Sequence, residues 1–109
     1  MTKSLLSNQD RTLITQALID GSGYPKSDED QNRIKFSPPE LHKLTNQLLE
    51  DDSKELSSQE KQMVVNCLDG ALHYVDIDIP SLYDVSEAEL KIFKETLERR
   101  WNMRSTFGE

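Results

Sequence analysis

The sequence predicts a single all-α domain of four helices and suggests two repeated helix-loop-helix hairpins that share one core. Two observations support this prediction. Apolar residues recur at spacings of three and four in four separate segments, as they do on the buried face of an α-helix. Each segment follows a serine with an acidic residue three positions later, a pattern that is typical of a helix start.

The repeat is visible in the order of these helix starts. The two serine-led starts within residues 7–51 recur in the same order within residues 57–104, at offsets of 50 and 49 residues. Amphipathic helices share such signatures for purely local reasons, so internal duplication and coincidental similarity both stay open.

The first half of the chain contains helices one and two. Helix one is predicted over residues 8–20, with Ser7 as N-cap and Gly21 as a left-handed residue that ends it. Residues 22–35 show no apolar periodicity and are predicted as a long loop. Helix two follows the cap Ser37 and ends near Asp51. The expected buried residues are Leu6, Leu13, Ile14, Ala17 and Leu18 in helix one and Leu41, Leu44 and Leu48 in helix two, with Leu49 as a further candidate.

The second half contains helices three and four. Helix three is predicted from after Ser57 to residue 74 or 75, with Cys67 on its apolar face. Residues 76–80 alternate between acidic and apolar side chains and are predicted as an extended loop, with residues 33–36 as a brief strand partner at most. Helix four is predicted over residues 87–104, and its buried residues are Leu90, Phe93, Leu97 and Trp101.

Acidic side chains dominate the charge of the chain. The 109 residues carry a formal net charge of −7, and residues 50–89 contain 11 acidic side chains and two basic ones. Such a surface disfavours direct nucleic-acid binding and anionic membranes, and it favours a basic partner. The sequence has no apolar stretch long enough to span a membrane, and its single cysteine allows no internal disulfide, so we expect a cytoplasmic protein.

The sequence offers few residues for metal binding or catalysis. Residues 28–32 resemble the opening of a calcium loop, but Arg33 and Pro39 stand where such a loop needs glycine and glutamate. We therefore predict no metal and no cofactor. An enzyme that uses His42 or His73 with the acidic pair Asp76 and Asp78 is kept as a third hypothesis, although no nucleophile accompanies either histidine at a catalytic spacing.

These observations favour a small non-catalytic protein-binding module, such as a regulator, an inhibitor or an immunity-type protein, that engages a basic partner. The resemblance to acidic immunity proteins is one of size and charge only. The alternative is a homo-oligomeric scaffold, and a homodimer is compatible with either hypothesis. The residues predicted to contact the partner are Asp51, Asp52, Glu55, Tyr74, Asp76, Asp78, Tyr83 and Asp84.

Overall fold

Six helices make up the regular structure of the computed structural model, which describes residues 7–23, 28–51, 55–74 and 77–108. In chain order they are α1 (Asn8–Gly23), α2 (Asp28–Ile34), α3 (Pro38–Glu50), α4 (Ser58–His73), α5 (Ile79–Tyr83) and α6 (Glu87–Arg100). The prediction of an all-α domain is confirmed for these residues. The four predicted helices correspond to α1, α3, α4 and α6, whereas the short helices α2 and α5 were not predicted. Leu6 lies outside the described residues.

The first and fourth helices form the centre of the domain. Helix α1 packs against α3 and α4, and α4 packs in turn against α6. The two short helices cross between the halves, since α2 packs on α4 and α5 packs on α1. One continuous core results, built mainly from the leucine, isoleucine and valine residues that the helical periodicity places on the inner faces.

Helix α1 does not end at Gly21, so the predicted left-handed cap is wrong. The helix continues to Gly23, and Gly21 is buried inside it. A β-carbon on Gly21 would lie 2.5 Å from the Sγ atom of Cys67 in α4. The glycine therefore allows the close approach of α1 and α4. Cys67 is buried at this contact, as predicted, and burial raises the pKa of its thiol well above the usual range.

The two short helices replace segments that were predicted as a loop and as extended chain. Helix α2 lies within the predicted 22–35 loop, and its last residue, Ile34, is fully buried. Asp78 is the N-cap of α5, where its side chain accepts a hydrogen bond from the Ser81 amide at 3.4 Å. Pro80 occupies an early helical position, where an amide hydrogen is not needed. These local contacts outweigh the strand-like alternation of residues 76–80.

The chain after α6 folds back over α2 and α4. Helix α6 ends at Arg100 and not at residue 104, because Trp101 is its C-cap and Asn102 adopts a left-handed conformation (φ 54°). The buried Asn66 side chain then donates to the Ile34 carbonyl and the Thr106 hydroxyl, both at 2.9 Å. The Thr106 amide donates back to Asn66 Oδ1 at 2.8 Å. All polar atoms of this buried amide are thereby satisfied.

A basic side chain from each central helix holds the end of its neighbour. Arg11 in α1 is only 9% exposed, and its Nη2 donates to the carbonyls of Leu48 and Asp51, which end α3. Lys61 in α4 lies over the Trp101 ring at the end of α6, with its Nζ 5.7 Å from the ring centroid. Carbonyls at the end of a helix lack partners within the helix, so the contact with Arg11 compensates for a local cost.

Candidate interaction surfaces

Three of the acidic residues predicted to contact a partner, Asp51, Asp78 and Asp84, divide between two ends of α1. Asp51 lies beside Arg11, in the first turns of α1. Asp78 and Asp84 flank α5, and Tyr83 of α5 donates a hydrogen bond to Asp20, near the other end of α1. The two anchoring positions on α1, Arg11 and Asp20, are nine positions apart in the helix, a rise of about 14 Å. Asp51 therefore lies apart from Asp78 and Asp84 along α1.

Three of the predicted carboxylates face solvent and form no ion pair with the part of the chain that the structure describes. Glu55, Asp78 and Asp84 are the three exposed residues. Asp52 and Asp76 lie outside the described residues. Among the residues that the structure describes, no cation is ion-paired with Glu55, Asp78 or Asp84.

Asp78 and Asp84 also define the two ends of α5. The Asp78 carboxylate accepts hydrogen bonds from the amide and, at 2.9 Å, the hydroxyl of Ser81. Asp84 is the C-cap and adopts a left-handed backbone (φ 59°), which aspartate tolerates better than most residues. Both residues thus have a structural role as well as an exposed charge, so a test of their charge has to preserve these caps.

Tyr83 belongs to the core and not to the partner-binding surface predicted for it. Its side chain is 3% exposed, and its hydroxyl donates to Asp20 Oδ2 at 2.7 Å. Burial, together with the hydrogen bond to the Asp20 carboxylate, raises the pKa of Tyr83 far above its usual value. The ring of Tyr83 packs between α5 and α1. Its burial is favourable because the hydroxyl keeps a hydrogen-bond partner, Asp20, inside the protein.

Tyr74 is half-buried at the end of α4, in a small group of aromatic rings. Its ring makes edge-to-face contacts with His73 and Phe107, at centroid distances of 5.5 and 6.0 Å. Phe107 comes from the segment that follows α6, so tertiary packing assembles the group. Part of the Tyr74 side chain is still accessible to a partner.

The two histidines lie on different helices. His42 is exposed on α3, and His73 is exposed at the end of α4, where its Nε2 lies 3.4 Å from Arg33 Nη1. Among the residues that the structure describes, no three histidine, cysteine or acidic side chains gather as a metal site would require. The hypothesis that either histidine acts with the acidic pair stays a prediction, since Asp76 is not described.

A groove between α1 and α6 was not predicted from the sequence. Its volume is about 360 Å³, and Ile92 on its α6 side is 61% exposed although the side chain is aliphatic. The lining residues are Gln9, Asp10, Leu13, Val85, Glu89, Ile92, Phe93, Thr96, Leu97 and Arg100. One signal for it exists in the sequence: Ile92 falls outside the stripe of buried residues in helix four.

Charged residues border the groove, and helix caps hold two of them in position. Asp10 and Glu89 are the third helical residues of α1 and α6, and each accepts a hydrogen bond from the amide of the serine that precedes its helix. These contacts with Ser86 lower the pKa of Glu89, so it is ionised at neutral pH. Arg100 lies at the far end of the α6 side. The groove thus combines an apolar floor with two carboxylates and one guanidinium.

None of the described helices has the length and apolar character needed to cross a membrane. Comparison with protein-family models, with curated proteins and with solved structures gives no match.

Proposed function

We propose that this protein is a small non-catalytic binding module, of the regulator, inhibitor or immunity type, that engages a basic protein partner. The observation that carries the proposal is the exposure of Glu55, Asp78 and Asp84, which form no ion pair within the described residues, on a chain of net charge −7. Asp51, Tyr74 and the undescribed Asp52 and Asp76 complete the proposed surface. Tyr83 is omitted because it is buried.

The electrostatic arrangement suggests how the partner is recognised. Acidic residues are anchored near Arg11 and near Asp20, positions about 14 Å apart along α1, and this spread suits a basic surface better than a single lysine. Charge complementarity of this kind accelerates association more than it slows dissociation, and salt weakens it. We therefore expect fast, salt-sensitive binding.

The test is affinity capture of the partner from the native host, followed by association kinetics with variants that keep the caps of α5. Asn replaces Asp well both at an N-cap and in a left-handed position, so Asp78→Asn with Asp84→Asn removes two charges and preserves the helix. We expect association to slow about tenfold or more between low and high salt, and the variant to lose much of this sensitivity.

The matched control removes two carboxylates from other elements, Glu29→Gln with Glu95→Gln, and should leave association nearly unchanged. Glu29 and Glu95 lie on α2 and α6. The proposal would be contradicted if partner binding changed neither with salt nor in the Asp78→Asn, Asp84→Asn variant.

The rival hypothesis is a homo-oligomeric scaffold, and exposed apolar side chains favour it. Leu49 on α3 is 65% exposed, and Ile92 on α6 is similarly accessible. Sedimentation equilibrium discriminates between the two. A monomer of 12.5 kDa at micromolar concentration would exclude the homo-oligomeric scaffold, whereas a stable dimer would support it.

We also propose that the chain arose by internal duplication. Two features support the proposal: the order long helix, short helix, long helix occurs twice, and each short helix packs on the first helix of the other half. A chain in which a second copy of residues 57–100 replaces residues 7–51 should then fold cooperatively. Loss of helical circular dichroism in that chain would argue against equivalent halves.

A further inference from the structure

We propose that the groove between α1 and α6 is a docking site for an amphipathic helix of a partner, with aliphatic residues on its buried face and lysine or arginine beside that face. The inference deepens the proposed function and rests on it, because it names the kind of segment that the basic partner contributes. The groove is a concave site on the two elements that bear Asp10 and Glu89.

The apolar floor of the groove suits an aliphatic helix face. Leu13 and Leu97 are buried at its base, Val85 and Phe93 are half-buried, and Ile92 projects into solvent. Helices that dock in grooves insert side chains at spacings of three and four residues into such a floor. A partner helix would remove the exposed face of Ile92 from water.

The length of the groove also fits a helix. On the α6 side it runs from Glu89 to Arg100, which corresponds to a helical rise of about 16 Å. A docked helix of about three turns spans this distance. Three turns provide about three to five positions on one face, which is the usual number of anchors for this mode of recognition.

The charges of the groove determine which helix is favoured. Two carboxylates and one guanidinium border it, on a protein of net charge −7. A second copy of the chain would bring the same net charge to the interface, and like charges oppose such association. Cationic side chains on a foreign helix would instead meet Asp10 and Glu89. The charges of the groove therefore favour the binding of a basic amphipathic helix.

The helix caps fix both carboxylates before any partner arrives. The Ser7 amide donates to Asp10 Oδ2 at 3.4 Å, and the Ser86 amide donates to Glu89 Oε1 at 2.8 Å. Groups that are held in position before binding lose less conformational entropy when a cation contacts them. The capping boxes thus give the two carboxylates a second role as oriented acceptors.

The test uses the full chain and a fluorescent synthetic peptide of about 14 residues, built from leucine, alanine and lysine with one leucine face. Fluorescence anisotropy measures its affinity for the native protein and for two matched variants. Ile92→Glu and Leu49→Glu each add one charge at a similarly exposed aliphatic position, but only Ile92 lines the groove. We expect Ile92→Glu to weaken binding about tenfold or more and Leu49→Glu to change it little.

A second peptide with glutamate in place of lysine should bind at least about tenfold more weakly. Equal effects of Ile92→Glu and Leu49→Glu, or equal affinity for the two peptides, would overturn the proposal. A dimer in sedimentation experiments that Ile92→Glu dissociates would also overturn it, because the groove would then be an interface between two copies.

The captured partner separates failure of this proposal from failure of the proposed function. If partner binding stays salt-sensitive and needs Asp78 and Asp84, but ignores Ile92→Glu, the groove proposal alone fails. If the cationic peptide binds the groove while partner binding ignores salt and the Asp78→Asn, Asp84→Asn variant, the proposed function fails and the groove remains a helix-binding site.

Discussion

Gly21 and Gly70 lie on the central helices at points where side chains of other elements come close. A β-carbon on Gly21 would lie 2.5 Å from Cys67 Sγ, and one on Gly70 would lie 3.0 Å from Ile34 Cδ1. Glycine inside a helix costs about 1 kcal/mol relative to alanine, so neither position is explained by helix propensity. The close packing around each glycine accounts for both residues.

The Gly21→Ala variant tests this explanation. Alanine favours the helix, but its methyl group would overlap the Cys67 thiol, and we expect the free energy of unfolding to fall by about 1–3 kcal/mol in urea titrations. Gly23→Ala in the same helix is the control, since a β-carbon there meets nothing within 4 Å. It should be neutral or stabilising by up to about 1 kcal/mol.

The double variant Gly21→Ala, Cys67→Ala identifies the clash itself. Removal of Sγ should recover part of the lost stability, so that the two changes are not additive. Additive losses would show that Cys67 is not the obstacle to a side chain at position 21.

At the scale of helices, all four long elements begin with a reciprocal serine cap, in which α1 uses Asp10 and the other three use a glutamate. In α3, α4 and α6 a serine N-cap accepts from the amide of the third helical residue, and the glutamate at that position accepts from the serine amide. The two reciprocal bonds satisfy donors that the helix itself leaves without partners. This explains why the starts of these helices were predicted from sequence so closely.

Ser57→Ala should destabilise the protein by about 1 kcal/mol, because the Glu60 amide loses its acceptor at the start of α4. The next residue supplies the control. Ser58 is exposed and occupies the first helical position, so Ser58→Ala should change thermal stability little. Equal losses from the two substitutions would show that the cap contributes nothing specific.

The capping glutamates also give a prediction about pH. The hydrogen bonds to Ser37 and Ser86 lower the pKa values of Glu40 and Glu89 below those of the unfolded chain. A carboxyl group whose pKa is lower in the folded chain stabilises the fold at pH values above its unfolded pKa of about 4.5. This stabilisation is lost as the pH falls through the pKa of the folded chain. Stability should therefore decline below about pH 4.5, by a small amount because both groups are exposed to solvent.

A Glu40→Gln, Glu89→Gln variant isolates this contribution, because glutamine keeps the capping box but does not titrate. Its stability in urea titrations should depend less on pH below about 4.5 than that of the native chain. An unchanged pH dependence would mean that other carboxylates dominate acid unfolding.

At the scale of the molecule, one core joins both halves. The contact between α1 and α4 lies at its centre, α2 and α5 each pack on the other half, and the segment after α6 returns to α2 through the Gly108 amide and the Arg33 carbonyl, 3.1 Å apart. Neither half can lose its structure without exposing the apolar face of the other. The domain should therefore behave as one cooperative unit.

Trp101, the only tryptophan, reports on the second half, whereas far-ultraviolet circular dichroism reports on all helices. We expect the two signals to give the same midpoint in thermal or urea unfolding. Separate midpoints would mean that the halves unfold independently and that the contact between α1 and α4 is weak.

The predictable part of the candidate surface is its charge. The exposed positions of Glu55, Asp78 and Asp84 follow from the cost of burying a carboxylate, and the concentration of acidic residues within 50–89 indicated them. The burial of Tyr83 could not be inferred, because its partner Asp20 lies 63 residues away. The groove was also missed, since it forms between two helices whose separation no local pattern specifies.

The helical fold class, the four long helices and the residues at which they start were all predictable from the sequence, because caps and apolar spacing act over a few residues. The tertiary structure decided where α1 ends, that residues 28–34 and 79–83 are helical, and which aromatic side chains remain exposed. Those features depend on contacts between residues far apart in the chain, such as Gly21 with Cys67. Such contacts leave little signal in any short window of the sequence.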